Sequence, residues 1–186
     1  MRIIGGSLKG RAINPPSGFS VRPTTDFAKE GLFNTLSSGF SLEGINVLDL
    51  FAGTGCISYE FASRGASRVY AVEMNPVHAS FIKRTAASLG LDAVRTVRHN
   101  VFDFLNLCRE SFDIIFADPP YAMSGLDTLP ERILGKRTGE NGPGLLADGG
   151  LFILEHPASY SFQSFPGFEK EKKYGNVHFS FFRQRF

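Results

Sequence analysis

The stretch Ile45-Asn46-Val47-Leu48-Asp49-Leu50-Phe51-Ala52-Gly53-Thr54-Gly55 decides the fold. It opens with an apolar run that predicts a buried strand, and the segment 56–63 that follows has the pattern of a helix. Gly53 and Gly55 let the backbone turn tightly and approach a ligand where a Cβ would clash. The helix points unpaired N–H groups at the same place. A strand, a glycine turn and a helix in this order predict a nucleotide-type binding site.

The spacing of these glycines argues against an NAD-linked oxidoreductase. The dinucleotide fingerprint has a third glycine three residues after the second, and Ser58 stands there instead. The pattern Asp-x-Phe-x-Gly-x-Gly over residues 49–55 resembles motif I of methyltransferases that use S-adenosylmethionine (SAM). Downstream, Asp118-Pro119-Pro120-Tyr121 resembles their motif IV for methylating exocyclic amines. The two motifs together predict SAM as the cofactor.

Strand and helix patterns alternate from Ile45 onward, which predicts an α/β sheet covered on both faces. The predicted strands are 47–50, 68–72, 94–99, 112–117 and 151–155, and a hairpin follows over 169–183 with its turn at Gly175-Asn176. Helices are predicted over 56–63 and 76–89, and an earlier one starts at Thr25 or Asp26 and ends near Gly39. An antiparallel pair after five parallel strands is typical of methyltransferases. We therefore expect a Rossmann-like α/β SAM-dependent methyltransferase fold, with a mostly parallel seven-stranded sheet and a C-terminal antiparallel hairpin.

Polar residues after the predicted strands complete the expected cofactor site. Glu73 lies 18 residues beyond Gly55, near the spacing at which such folds place a carboxylate on ribose hydroxyls. After the third strand, either Asn100 or Asp103 can accept from the adenine amine, and Asp103 can equally be the exposed start of a helix. The residues assigned to SAM are Asp49, Phe51, Ala52, Gly53, Thr54, Gly55, Glu73, Met74, Asn100 and Val101.

The motif Asp118 to Tyr121 fits the chemistry of amine methylation. The lone pair of a nucleobase amine is delocalised into the ring, and accepting hydrogen bonds from both N–H groups draws the nitrogen toward a tetrahedral shape. Asp118 can supply one acceptor and the Pro119 carbonyl the other. Pro119 and Pro120 make the turn rigid and have no N–H to compete for these acceptors. Tyr121 can stack on an extruded base, so these four residues are the predicted catalytic set.

Composition and cysteine usage exclude several classes of protein. With 186 residues, 42% hydrophobic and 20% charged, the chain is long enough for one well-buried core and a small appendage. No apolar run approaches the ~20 residues of a membrane span, and the first residues lack a signal peptide's apolar core, so we expect a cytoplasmic protein. Cys56 and Cys108 are expected to be reduced thiols. No histidine or cysteine spacing typical of a metal site is present, so no metal is expected.

The net charge of +2 is unevenly distributed. Residues 1–30 contain five basic residues (Arg2, Lys9, Arg11, Arg22 and Lys29) and two acidic ones, and residues 169–186 show the same balance. Basic ends suit a polyanionic partner, because phosphate contacts supply most sequence-independent affinity for nucleic acids. Solvated surface charge explains the pattern equally well, so charge alone does not establish nucleic-acid binding.

Several stretches beyond the shared motifs are similar to the RsmD family, whose members are bacterial 16S ribosomal RNA (guanine-N2) methyltransferases acting at guanine 966. They are Arg2-Ile3-Ile4-Gly5-Gly6 with Gly10-Arg11, Arg22-Pro23-Thr24-Thr25-Asp26, Leu48 to Gly55, and Ser63-Arg64-Gly65-Ala66. The resemblance implies that residues 1–20 form an RNA-contacting β-hairpin on a methyltransferase domain of residues 21–186. A hairpin of this size has no core of its own and must lean on the main domain.

The same resemblance implies the partner and the contacts. Residues 118–121 would hold the guanine, and Gly53, Gly55 and Glu73 would hold SAM. Lys9, Arg11, Arg22 and Thr24 are the expected RNA contacts. The substrate would be 16S ribosomal RNA or an assembly intermediate of the small subunit, and we expect a monomer. A polar, glycine-rich loop is predicted over 135–144.

Two rival functions share the sequence features. The first is a DNA or other-RNA amine methyltransferase with the same two motifs, against which the N-terminal signature argues. The second is a non-catalytic RNA-binding module with the SAM fold. Intact Asp118 and Tyr121 argue against that module, because a protein without catalysis has no need of them.

Overall fold

The computed structural model describes residues 1–19, 24–135 and 144–183. Its strands are β1 Asn46–Leu50, β2 Arg68–Val72, β3 Val94–Val97, β4 Phe112–Ala117, β5 Leu146–His156, β6 Phe168–Tyr174 and β7 Val177–Arg183. Its α-helices are α1 Asp26–Ser37, α2 Cys56–Ser63, α3 Pro76–Ser88, α4 Val101–Leu107 and α5 Leu129–Leu134, and a 3₁₀ turn spans Leu126–Thr128. Arg22 and almost all of the predicted polar loop lie outside the described residues.

The strands form a seven-stranded sheet in the order β3-β2-β1-β4-β5-β7-β6. The first five are parallel, and β7 runs antiparallel to both β5 and β6. The predicted α/β fold with its C-terminal antiparallel hairpin is therefore confirmed. The chain order of the strands reverses between β1 and β4, and in such sheets ligands bind at the carboxyl ends of the strands at that point. The glycine turn follows β1 and Asp118 follows β4, so the fold brings the two motifs together.

Both faces of the sheet are buried, which explains the near-continuous apolar runs of the central strands. On β4, Ile114 and Phe116 pack with α1 and α2, whereas Ile115 and Ala117 pack with α4 and α5. The alternating side chains of one strand therefore belong to two separate cores.

Short polar side chains cap α1, α3 and α4. Thr25 accepts from the backbone N–H of Ala28 at 3.2 Å, which confirms the predicted start of α1. Asn100 caps α4 in the same way, so β3 ends at Val97 and not at the predicted residue 99. The two short helices α4 and α5 were not predicted, because six or seven residues show too little periodicity. The fifth strand starts at Leu146, five residues before the predicted Leu151.

The two arms of the N-terminal segment pair in the antiparallel sense. Arg2 and Ala12 form an isolated bridge, the Ile3 N–H donates to the Arg11 carbonyl at 3.0 Å, and the Ile13 N–H donates to the Met1 carbonyl at 2.9 Å. Ile3 and Ile13 are buried against Tyr59 and Ile82, so the segment leans on α2 and α3. It therefore shares a core with the rest of the described chain.

Lys29 corrects the charge analysis, because it does not face solvent. Only 1% of its side chain is exposed. The ammonium donates to the Arg2 carbonyl and lies 3.9 Å from Oε2 of the fully buried Glu60. Glu60 also pairs with Arg64 at 2.9 Å and accepts from the Ile4 N–H. Lys29 thus joins the N-terminal segment to α1 and α2 and is not available to a phosphate.

Replacing Lys29 with methionine should reduce the free energy of unfolding by about 3 kcal/mol, the lower end for breaking a buried ion pair. Methionine keeps the apolar stem but leaves the Arg2 carbonyl and one Glu60 oxygen without their cation. Urea denaturation measures the loss. Lys83→Met, at an exposed position of α3, is the matched control and should change stability by less than about 0.5 kcal/mol. Equal effects of the two variants would contradict this role.

Candidate active site

The turn after β1 is built from residues in the left-handed conformation. Phe51, Gly53 and Gly55 have φ angles of 61°, 57° and 79°. A Cβ added to Gly55 would lie 2.7 Å from the Tyr59 ring, so this glycine is also required for close packing. Among the described residues, Phe51 is the one non-glycine residue with a positive φ angle. This backbone conformation is strained, and such strain clusters at functional sites. The tight turn predicted from the glycines is present.

Glu73, at the end of β2, is tied directly to this turn. Its Oε2 accepts from the Gly53 N–H at 2.9 Å, and its Oε1 accepts from the Asn75 N–H at 2.7 Å. A carboxylate has about four acceptor positions, so two remain for a ligand. Next to it, Met74 and Val77 are 64% and 60% exposed and offer apolar surface at the rim. Glu73 therefore lies beside the glycine turn with two acceptor positions open and apolar surface next to it.

Asp49 is buried and is fixed by Ser58, whose hydroxyl donates to it at 2.5 Å. Burial raises the pKa of Asp49 to about 7, and the Ser58 bond opposes that shift. Ser58 occupies the position of the missing third glycine. The sequence showed only which cofactor this serine disfavours, whereas the structure shows that its hydroxyl orients an acid of motif I.

Asp118 joins the same pocket from β4. Its N–H donates to the Leu50 carbonyl at 3.3 Å, which ties the two motifs together. One pocket is lined by Thr24, Asp49, Phe51, Ala52, Gly53, Thr54, Cys56, Ile57, Phe116 and Asp118. Five residues assigned to SAM and the first residue of the predicted catalytic set thus share one pocket. Beyond it, the Pro120 carbonyl accepts from the Met123 N–H at 2.8 Å and closes a turn.

Glu155 lies beside the predicted catalytic set, although the sequence analysis did not single it out. It lies on β5, and because Ala117 pairs with Leu154 in register, Glu155 is the neighbour of Asp118. The Tyr121 hydroxyl donates to its Oε1 at 3.3 Å. Glu155 is only 5% exposed, and burial raises its pKa to about 7. The signal was an acid at the end of a strand next to β4, the same signal that identified Glu73.

The Asp118 carboxyl has a strongly raised pKa. Burial is the main cause, and the neighbouring Glu155 carboxyl adds to it. The same two causes, burial first, raise the pKa of the Tyr121 hydroxyl, although this ring is 44% exposed. The carboxyl ends of β4 and β5 therefore hold the half-buried Asp118, the buried Glu155 and an accessible aromatic ring.

Asn100 does not present its carbonyl to the site. Its Oδ1 accepts from the N–H groups of Phe102 at 2.9 Å and Asp103 at 3.4 Å, and so caps α4. Its Nδ2 lies 3.8 Å from the Met74 sulfur. Asn100 therefore offers a ligand an N–H donor rather than the expected acceptor. Asp103 is exposed in the first turn of α4, which agrees with its alternative interpretation as the exposed start of a helix. The Val101 side chain is buried.

The residues assigned to RNA are distributed unevenly. Lys9 and Arg11 are exposed on the N-terminal segment. Thr24 is buried and lines the pocket, so it can meet only a group that enters the pocket. Among the C-terminal cations, Arg183 pairs with Glu169 at 2.8 Å. Of the predicted RNA contacts within the described ranges, Lys9 and Arg11 are thus the exposed ones.

The described ranges 1–19, 24–135 and 144–183 contain no cluster of metal-ligating groups. No three histidine, cysteine or acidic side chains in them are placed to hold a metal ion. No helix in the same ranges combines the length and apolarity needed to cross a membrane. Burial raises the pKa of the Cys56 thiol to about 11, so at neutral pH this thiol stays protonated.

Comparisons with known proteins give a consistent result. Residues 1–183 match the profile of a family described as Conserved hypothetical protein 95. The Ribosomal RNA small subunit methyltransferase D of Escherichia coli (strain K12) is 29% identical over 99% of this chain and 90% of its own length. YlbH of Bacillus subtilis (strain 168) is 34% identical over 84% of this chain and 82% of its own. A solved structure of a hypothetical protein from Thermus thermophilus superposes with a TM-score of 0.82, at 30% identity, over 98% and 99% of the two chains.

Proposed function

Since this chain belongs to the RsmD family of ribosomal RNA methyltransferases, we propose that it methylates the exocyclic N2 amine of a guanine in 16S ribosomal RNA, with SAM as the methyl donor. The main support is that the glycine turn and Asp118 line one pocket at the point where the strand order reverses. A relative named as a small-subunit methyltransferase, matched over 90% of its length, supports the choice of 16S RNA.

Three features of this structure fit a bound SAM molecule: the glycine turn, the Glu73 carboxylate and the apolar surface beside it. The left-handed turn of Gly53 and Gly55 leaves room for backbone approach, and Glu73 has free acceptor positions for two ribose hydroxyls. Met74 and Val77 supply exposed apolar surface for the adenine ring. The sulfonium of SAM supplies an electrophilic methyl group, and its positive charge suits a pocket that contains the Asp49 carboxyl.

The chain's own groups orient the amine. Asp118 accepts one N–H of the guanine amine and the Pro119 carbonyl accepts the other, so the nitrogen lone pair is directed toward the methyl group. In the displacement the C–S bond breaks, the C–N bond forms, and the amine loses one proton. Solvent water takes up that proton, and Tyr121 stacks on the extruded base. No covalent enzyme intermediate is required.

Transfer of a labelled methyl group to unmodified ribosomal RNA tests this function. The protein is incubated with labelled SAM and, separately, with 16S RNA lacking the modification, small-subunit particles lacking it, 23S RNA and duplex DNA. We expect label in 16S RNA or in the particles and none in DNA. Labelling of DNA alone would favour the DNA amine methyltransferase, whereas SAM and RNA binding without transfer would favour the non-catalytic module.

The N-terminal cations are expected to bind RNA phosphates. Lys9→Gln combined with Arg11→Gln should lower the magnitude of the slope of log K against log salt by about 1.4–1.8, since each phosphate contact contributes about 0.7–0.9. Filter binding at several salt concentrations measures this slope. A deletion of residues 1–14 is unsuitable, because it would remove the buried Ile3 and Ile13.

The charge-matched control for this pair is Lys83→Gln with Arg84→Gln, at exposed positions of α3. The control should leave the slope unchanged, and SAM affinity should stay constant in both variants. If the two double variants gave the same slope of log K against log salt, the N-terminal charges would be incidental to RNA binding.

The rate of methyl transfer should rise with pH through about 7. Asp118 and Glu155 both have raised pKa values, caused mainly by burial, and Glu155 titrates near 7. The ionised carboxylate is the form that accepts from both N–H donors. Its population falls when the pH is below the pKa and rises when the pH is above it. Single-turnover rates between about pH 5.5 and about pH 8.5 measure the effect. A rate that falls over this range would contradict an acceptor role for these groups.

A further inference from the structure

We propose that Glu155 reads the guanine by accepting its N1–H, beside the Asp118 carboxylate that accepts from the N2 amine. This inference rests on the proposed guanine substrate and assigns a specificity-determining residue to it. Guanine presents N1–H and N2–H donors next to each other on one edge, whereas adenine has an unprotonated N1 there. Two adjacent carboxylates therefore match guanine and repel the N1 acceptor of adenine.

The register of the sheet places the two acids side by side. Asp118 follows Ala117, which pairs with Leu154, so Glu155 stands next to Asp118 at the carboxyl ends of parallel strands. The contribution of the Glu155 carboxyl to the raised pKa of Asp118 agrees with this placement. The two acceptors are therefore held on neighbouring strands of one rigid sheet and do not depend on a mobile loop.

The two oxygens of Glu155 are used differently. Oε1 accepts from the Tyr121 hydroxyl, which fixes the carboxyl group and links it to the ring expected to stack on the base. Oε2 is buried and has no hydrogen-bond partner of ordinary geometry among the described residues. The Thr24 hydroxyl lies near this carboxyl and lowers the pKa of Glu155, but it is not within hydrogen-bond geometry of Oε2.

A buried acceptor without a partner costs free energy unless a ligand satisfies it. Among residues 1–19, 24–135 and 144–183, no basic side chain forms an ion pair with Glu155. By contrast, the buried acid Glu60 has both oxygens occupied by cations and backbone N–H groups. Glu60 has the contacts of a structural acid, whereas Glu155 has an oxygen left for a substrate.

The test changes the hydrogen-bonding groups on both partners of this contact, the base and residue 155. An RNA substrate carries either guanine or 2-aminopurine at the methylated position; 2-aminopurine keeps the N2 amine but has an unprotonated N1. The wild-type protein should prefer guanine in kcat/KM by roughly 10- to 100-fold. Glu155→Gln replaces one acceptor with an N–H donor, which can bond to N1 of 2-aminopurine. That variant should lose most of its activity on guanine and favour 2-aminopurine.

The controls separate this inference from the proposed function and from misfolding. SAM affinity of Glu155→Gln should match that of the wild type, and Glu131→Gln, at an exposed position, should keep the guanine preference. If the variant does not fold, the preference of the wild type alone remains the test. A wild-type protein that methylates guanine and 2-aminopurine equally, or a folded variant with unchanged preference, would overturn the role of Glu155. Failure of the wild type to methylate guanine at all would instead overturn the proposed function.

Discussion

Replacement of Asp118 by alanine is expected to slow methyl transfer by roughly 10²–10³-fold, the effect typical of removing one positioned hydrogen-bond partner of a transition state. The loss should fall on the chemical step, because the acceptor matters most where the amine nitrogen changes shape. SAM affinity should change little, since Gly53, Gly55 and Glu73 are untouched. Single-turnover rates and calorimetry with SAM measure the two quantities separately.

Asp118→Asn is the matched variant, because asparagine keeps a carbonyl acceptor at the same place. It should retain part of the activity. The exchange also removes one of two adjacent acids with raised pKa values, so the pH dependence below about 7 should become shallower. An asparagine variant as inactive as the alanine variant would show that Asp118 acts as an obligatory base and not as an acceptor.

Replacement of Gly53 by valine is expected to abolish SAM binding, with a loss of at least about 100-fold in affinity. Gly53 has a φ angle of 57°, which a β-branched residue adopts only under strain, and its N–H donates to Glu73. The added side chain would also occupy the pocket that Gly53 lines. Calorimetry with SAM measures the loss.

Gly90→Val is the control for strain alone. Gly90 has a φ angle of 66°, and an added Cβ there would meet no atom within 4 Å. Both variants should lose a similar amount of stability, but only Gly53→Val should lose SAM. Unchanged SAM affinity in a folded Gly53→Val protein would remove the cofactor from this turn.

The fold and the centre of the site could be predicted because they depend on short, local patterns. The order of motif I, Glu73 and the segment 118–121, each placed directly after a strand, fixes which sheet edge they share. Parallel α/β topology then brings them together without any further information. The start of α1 at Thr25 was equally local, since the cap is formed by one side chain three residues away.

Features that depend on packing across the chain could not be predicted. Lys29 is a cation in a basic segment by sequence, and only the burial of Glu60 on another helix shows that it is structural. Asn100 was assigned as an acceptor, but the helix it begins uses that acceptor. Glu155 follows the same strand-end pattern as Glu73, yet its place next to Asp118 depends on β5 lying beside β4.

The identity of the methylated atom is the most direct test of the proposed chemistry. Small-subunit RNA lacking the modification is treated with the protein and deuterated SAM, digested to nucleosides and examined by mass spectrometry, with the Asp118→Ala variant as the control. We predict labelled N2-methylguanosine from the wild type and almost none from the variant. Labelled N6-methyladenosine, or equal labelling by the two proteins, would contradict the assignment of this site to the guanine N2 amine.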